Sequence, residues 1–296
     1  MIARKLLVKA LLICVVTAAL IACSEKDSRE DSGLRGRLAI PSGRNLYVMD
    51  LKTGDVLQIQ TRGAGTWSPD GRQLALSIVE QGSSWYADVV IHDVGSGEST
   101  TVASKLRFID VPDWSPDGSW LTFMMGAAQL DSDRINVMAV KTDGSDLHSV
   151  ANCGDRRCCC ARWSGDGRRI AFASSKGIEV VDRDGGNRQR LYTREEGFVR
   201  ELAWSPDNSK IAFIDDPDSA FIKLLDPESR QVSRLPVQDE FSGWSLAWSP
   251  TSDQLATVLF GQQEDQLLVI DLNGNELMNV RREHFSIGFL DWGPEP

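Results

Sequence analysis

Apolar positions along the chain come in short groups separated by polar turns. Leu74-Ala75-Leu76, Leu121-Thr122-Phe123, Ile170-Ala171-Phe172, Ile211-Ala212-Phe213 and Leu255-Ala256-Thr257 each follow a tryptophan-led turn. A second apolar group follows in each unit, as in Asp88-Val89-Val90-Ile91, Ile135-Asn136-Val137-Met138 and Leu267-Leu268-Val269-Ile270. It usually ends at an Asp and Gly turn, for example Asp50-Leu51-Lys52-Thr53-Gly54 or Asp271-Leu272-Asn273-Gly274. A third, more polar group such as Val56-Leu57-Gln58-Ile59 closes the unit. Groups this short and this regularly punctuated predict strands, and no stretch of the mature chain has a convincing helical period. With the strand that leads into each tryptophan, every unit holds four strands.

The tryptophan turn is itself a repeat. It reads Trp67-Ser68-Pro69-Asp70-Gly71, Trp114-Ser115-Pro116-Asp117-Gly118, Trp163-Ser164-Gly165-Asp166-Gly167 and Trp204-Ser205-Pro206-Asp207-Asn208. Weaker copies are Trp248-Ser249-Pro250-Thr251-Ser252 and Trp292-Gly293-Pro294-Glu295-Pro296. The tryptophans are 47, 49, 41, 44 and 44 residues apart. Pro suits the first central position of a type I turn, Asp the second, and Gly or Asn the left-handed position after it. Four-stranded units at this period are propeller blades. Three strands (Leu38–Ile40, Leu46–Met49, Val56–Ile59) precede the first tryptophan without an inner strand, while Ile287–Trp292 is an inner strand with nothing after it. Joining the two ends predicts an all-β, six-bladed β-propeller over residues 37–296 with no open edge.

The phrase and its period resemble the TolB-like (WD40-like) β-propeller repeat family, whose mark is a Trp-Ser-Pro-Asp-Gly turn followed by a short apolar strand. The resemblance covers Arg37 to Trp292; the fifth copy lacks Asp-Gly and the sixth stops at the turn. It implies the repeat fold. It does not carry over a role in envelope maintenance, because the family's namesake has an additional N-terminal α/β domain.

The first 22 residues predict an export signal. Arg4, Lys5 and Lys9 precede an uncharged run, Ala10–Ala22, which as a helix spans about 20 Å, short of a hydrocarbon core. Leu20-Ile21-Ala22-Cys23 is similar to a bacterial lipobox, which makes Cys23 the lipidated first residue of the mature protein. Ser24 after it implies sorting to the outer membrane, facing the periplasm. The polar stretch through Gly36 reads as a flexible tether within residues 23–36.

Charge narrows the function. The net charge is −10, or about −13 once the signal is removed, which argues against nucleic-acid binding. Three dispersed histidines (His92, His148, His284) and no Gly-x-Ser-x-Gly phrase leave no predicted catalytic residue, metal site or cofactor. The turn aspartates are expected to be structural, and Trp67, Trp114, Trp163, Trp204, Trp248 and Trp292 to pack between blades. One insert breaks the repeat: Cys153-Gly154-Asp155-Arg156-Arg157-Cys158-Cys159-Cys160. An exported compartment favours one disulfide from Cys153 to Cys158, Cys159 or Cys160, with zinc or free thiols as alternatives. The Trp-Ser-Pro-Asp-Gly and Asp-x-x-Gly turns share one rim, so recognition is expected on the opposite rim, where Trp85, Tyr86, Asp215, Asp216 and Asp218 are the candidates. The expectation is a monomeric, non-enzymatic lipoprotein that meets the membrane through its anchor and binds an envelope protein. The alternatives are a propeller enzyme of lyase or glycoside hydrolase type with a site in the central funnel, or an accessory subunit of an outer-membrane complex.

Overall fold

Every tryptophan phrase that is followed by a strand closes a hairpin by the same bonds. In the first, Ser68 Oγ donates to Asp70 Oδ1 at 2.6 Å and accepts the Gln73 amide at 2.9 Å, while the Gly71 amide reaches the Ser68 carbonyl at 2.8 Å. The residue closing the turn has positive φ in five copies: Gly71, Gly118, Gly167, Asn208 and Ser252. In the fifth copy the acid moves along the chain, and Ser249 Oγ bonds Asp253 instead. The turn survives without Asp-Gly because the serine still finds a carboxylate.

The computed structural model describes residues 34–296 except 44, 62, 80–85, 108–109, 127–134, 155–157, 195–196, 216–221, 236–241, 261–264 and 283–288. Blade 1 holds β1 (Arg37–Ser42), β2 (Asn45–Asp50) and β3 (Val56–Ile59). Blade 2 is β4 (Ala64–Trp67), β5 (Gln73–Val79), β6 (Tyr86–Asp93) and β7 (Ser99–Arg107). Blade 3 is β8 (Asp113–Trp114), β9 (Trp120–Gly126), β10 (Ile135–Lys141) and β11 (His148–Asn152). Blade 4 is β12 (Cys159–Trp163), β13 (Arg169–Ser174), β14 (Gly177–Asp182) and β15 (Gln189–Thr193). Blade 5 is β16 (Val199–Trp204), β17 (Ile211–Asp215), β18 (Ile222–Leu225) and β19 (Val232–Leu235). Blade 6 is β20 (Ser242–Trp248), β21 (Gln254–Phe260), β22 (Asp265–Asp271) and β23 (Glu276–Arg282). Finally β24 (Asp291–Gly293) joins blade 1, pairing Leu38 with Trp292 and Ala39 with Asp291. Six antiparallel four-stranded sheets result, closed by three N-terminal strands and one C-terminal strand.

The core is divided among the blade interfaces. Six buried clusters each join neighbouring sheets, for example Ala39, Leu46 and Val48 of blade 1 with Trp67, Leu74 and Leu76 of blade 2. Each motif tryptophan lies in the cluster shared with the preceding blade. Middle strands are buried on both faces, which is why they read as unbroken apolar runs.

Candidate axial binding site

An inner strand leaves one backbone edge facing the propeller axis, and its amides need partners there. Side chains of neighbouring blades supply several of them. Asp291 Oδ2 accepts the Trp67 amide at 2.6 Å, and Asp113 Oδ2 accepts the Trp163 amide at 2.7 Å. Thr66 Oγ1 donates to the Pro112 carbonyl at 2.6 Å, and the Leu290 amide donates to Ser245 Oγ at 2.7 Å.

The residue before each motif tryptophan lines a cavity of about 330 Å³ on the axis. Around the ring these are Asp291, Thr66, Asp113, Arg162, Ala203 and Ala247, from blades 1 to 6 in order. Four polar positions are therefore followed by two alanines, and the missing side-chain volume opens the cavity. The motif tryptophans and the prolines or glycine of their turns form its wall.

A buried charged network lies behind the cavity-lining Arg162. The register of β16 is regular from Glu201 to Trp204, so strand alternation puts Glu201 on the same face as the cavity-lining Ala203. Its Oε1 meets Arg162 Nη2 at 3.2 Å, and Arg162 Nη1 donates to the Ala161 carbonyl at 3.0 Å. Asp110 accepts the Cys160 amide at 2.7 Å and adds a further carboxylate close enough to influence Arg162. One guanidinium thus sits among four acids: Asp110, Asp113, Glu201 and Asp291. Desolvation is the main cause that pushes Asp113 up to about 6, Asp291 to about 7 and Glu201 to about 8. Arg162 opposes each rise, while Asp113 adds to that of Asp291 and Asp110 to that of Glu201.

No family model matches the chain. An uncharacterized protein of Agrobacterium fabrum is 24% identical over 196 residues, covering 58% of this chain and 62% of that protein. The Tol-Pal system protein TolB of Alcanivorax borkumensis is 39% identical over 61 residues, which is 20% of this chain and 13% of that one. The aligned regions thus span less than two thirds of either relative. Among solved structures, TolB from Acinetobacter baumannii superposes with a TM-score of 0.72 at 20% identity, over 88% of this chain and 67% of that one. A candidate TolB from Agrobacterium tumefaciens gives 0.64 at 17%, over 88% and 99%. The fold is that of the TolB-like β-propellers. An oligogalacturonate lyase in complex with manganese is also similar, with a TM-score of 0.56 at 17% identity over 78% of this chain and 69% of that one.

In this TolB-like propeller the six motif tryptophans are buried between blades. The indole N–H of Trp114, Trp248 and Trp292 reaches the Thr66, Ala203 and Arg35 carbonyls at 3.1, 3.0 and 2.7 Å. Trp67, Trp163 and Trp204 lack such an acceptor and instead carry Arg37, Arg183 and Arg169 over their rings. The turn aspartates are bonded within their turns; hydrogen bonds from Ser115 and Ser119 hold Asp117 down to about 2.

The cysteine insert is folded into the core. Cys153 is joined to Cys158, with Cα atoms 6.2 Å apart, in the cluster between blades 3 and 4. The structure also joins the neighbours Cys159 and Cys160, a second bridge beyond the single one expected, with Cα atoms 3.7 Å apart. Cys160 has φ of +66°, and the β12–β13 register shifts between Cys159 and Arg162. That irregularity sits directly before the arginine that enters the channel.

Asp215 was expected on an exposed binding rim, and the structure corrects this. Its side chain is 4% exposed and is held by Arg194, by Lys223 Nζ at 2.8 Å and by the Tyr192 hydroxyl at 2.9 Å. A strand-end carboxylate packed against the outer strand of the neighbouring blade can be buried only with such cations around it. Burial first, then the hydrogen bond to Asp215, pushes Tyr192 up to about 12. Tyr86 begins β6 opposite Arg107 and is 44% exposed. Trp85, Asp216, Asp218 and Cys23 lie outside the described residues.

Sequence reasoning missed Asp113, Arg162, Glu201 and Asp291. For Asp113, Arg162 and Asp291 the signal was present as the column of residues one place before each tryptophan, which holds two acids, an arginine, a threonine and two alanines; Glu201 lies outside that column.

Proposed function

We propose that this protein is a non-enzymatic binding scaffold of the bacterial cell envelope, anchored through a lipidated Cys23 to the periplasmic face of the outer membrane and engaging a protein partner. The observation that carries the proposal is the axial cavity. It is a pre-formed recess of ligand size, ringed by tryptophans and lined by Asp113, Arg162 and Asp291, on a ring closed by pairing the two ends of the chain. Its acids are tied to the fold: Asp113 and Asp291 hold the amides of neighbouring blades, and Glu201 holds Arg162. Similarity to TolB structures supports an envelope setting, and the lipobox supports the anchor.

The test is affinity purification of the intact lipoprotein from detergent-solubilised membranes. One protein recovered in constant ratio through stringent washing supports the scaffold. Recovery as a fixed subunit of a large assembly at every salt concentration supports the accessory-subunit alternative instead.

A second reading rests on the same cavity. An arginine and several carboxyl groups converging in a propeller funnel, with a lyase among the similar folds, are compatible with a lyase or glycoside hydrolase. Neither His92 nor His148 lines the cavity. Turnover of oligogalacturonate with manganese, lost in Arg162→Met, establishes the enzyme; no turnover supports the scaffold.

A further inference from the structure

The cysteine insert places two bridges of different kinds side by side. Cys153 and Cys158 are both buried between blades 3 and 4, and their Cα separation of 6.2 Å is ordinary for a disulfide. Cys159 and Cys160 are sequence neighbours whose Cα atoms, 3.7 Å apart, lie closer than disulfides usually allow. Their bridge closes a ring across a single peptide bond. Cys160 is fully buried between blades 4 and 5, and Cys159 is only partly buried there. Cys160 also has φ of +66°, a backbone conformation costly for a residue with a Cβ. The bulge in β12 does not demand it. Strand β16 shifts register at the same level, between Val199 and Glu201, and none of its residues has positive φ. The bridge is what distinguishes the two strands at this level.

The surroundings accommodate the opened pair as well. Cys159 Sγ lies 3.4 Å from the Val199 and Arg200 carbonyl oxygens, and Cys160 Sγ lies 3.4 Å from that of Arg200. A bridged sulfur has no hydrogen to offer them, whereas a thiol at either place finds its acceptor already in position. Reduction therefore needs no parting of blades 4 and 5. The pair is also tied to the cavity. The Cys160 amide donates to Asp110, and the next carbonyl, that of Ala161, accepts Arg162 Nη1 at 3.0 Å. Arg162 in turn lines the cavity and holds Glu201 at 3.2 Å. A turn of the backbone at Cys160 moves the Ala161 carbonyl, and the guanidinium with it. We propose that Cys159–Cys160 is a redox switch that sets the position of Arg162 at the axial cavity, opened by a protein dithiol and closed by exchange with a protein disulfide.

In the opening step a donor thiolate attacks Cys159 Sγ, the sulfur of the less buried residue. The Sγ–Sγ bond breaks, a mixed disulfide forms on Cys159, and Cys160 Sγ leaves as a thiolate that takes up a proton. The donor's second thiol then attacks the mixed disulfide and releases the Cys159 thiol. Two electrons and two protons have passed to the pair, and the donor is left as a disulfide. Closing is the same exchange reversed. Control of the partner by this switch rests on the scaffold reading; movement of Arg162 does not.

The test is a dithiothreitol series on the folded protein, read by differential alkylation with peptide mapping and by NMR. The NMR signals are the Arg162 Nε–H and the indole N–H of Trp204, which shares the cluster of Cys160 and lines the cavity with Arg162. Cys159–Cys160 should open at about a tenfold lower dithiothreitol concentration than Cys153–Cys158. Both signals should shift with that opening and return on reoxidation. Cys159→Ser combined with Cys160→Ser should show the shifted signals without reductant, and Cys153→Ala combined with Cys158→Ala should still respond to it. If the first of these variants does not fold, the wild-type series decides alone. Absence of the Cys159–Cys160 bridge in protein from an oxidising compartment overturns the inference. So does opening that occurs only with global unfolding, or opening that leaves the Arg162 signal unchanged. Partner capture is scored separately in both redox states. Equal capture in the two states rejects control of the partner and leaves the scaffold standing; no partner in either state rejects the scaffold and leaves the movement of Arg162 to the NMR series.

Discussion

At the residue scale, two departures from the repeat are explained by close approach between blades. Gly165 stands where all five other copies have proline, and a Cβ there would lie 1.8 Å from the Pro206 carbonyl oxygen. Gly293 replaces the serine of the phrase, and a Cβ there would lie 2.2 Å from the Trp67 ring. Backbone cannot yield as a side-chain tip can, so Gly165→Ala should cost about 1–3 kcal/mol, read as a lower urea midpoint at unchanged slope. Glu201 gives a second residue-level prediction. Its folded pKa lies above the unfolded value, so the native state binds the extra proton and stability falls as pH rises from about 4 through about 8. Glu201→Gln removes that titration. It should stabilise the isolated domain by roughly 4–5 kcal/mol at pH 8.5 and change it by less than about 1 kcal/mol at pH 5. A pH-independent effect in thermal unfolding would show that Glu201 does not titrate in this range.

At the element scale, the strand order and the closure were legible because the tryptophan period fixes both the blade count and the phase of each strand. The Leu38–Ile40 strand lies inside β1 and pairs with Trp292, as the unmatched ends of the chain required. The channel was less legible. Alternation cannot tell which face of an inner strand meets the axis once the register shifts, as it does in β12, β16 and β20. Asp215 shows the same limit. A run of acids at a strand end reads as a solvated loop, yet the neighbouring blade brings Arg194 and Tyr192 to it. Breaking one partner of a buried pair leaves charge behind, so Asp215→Asn should destabilise blade 5 by about 3–5 kcal/mol. Hydrogen exchange should place the loss in β17 and β18.

At the scale of the whole molecule, the two rims differ in kind. The Trp-Ser-Pro-Asp-Gly rim repeats because its turns build the ring, and the axial cavity opens among those turns. A rim shaped by folding can therefore also hold the binding recess, since the six positions just before the tryptophans differ from blade to blade while the turns recur. The proposed lipid anchor at Cys23 bears on where this rim operates. Cys23→Ala should abolish lipidation and release the domain from membranes; membrane retention equal to wild type, with no labelled fatty acid in the wild type, would show that Cys23 is not the anchor. The central claim, that a partner engages the propeller at its axial rim, is tested most directly by site-specific photo-crosslinking in intact cells. A photoreactive residue at Pro206, beside the cavity, should give one discrete adduct with a second protein, and the same residue at Leu57, exposed on the outer strand of blade 1, should give none. Adducts of equal yield at both positions, or at Leu57 alone, would contradict the account.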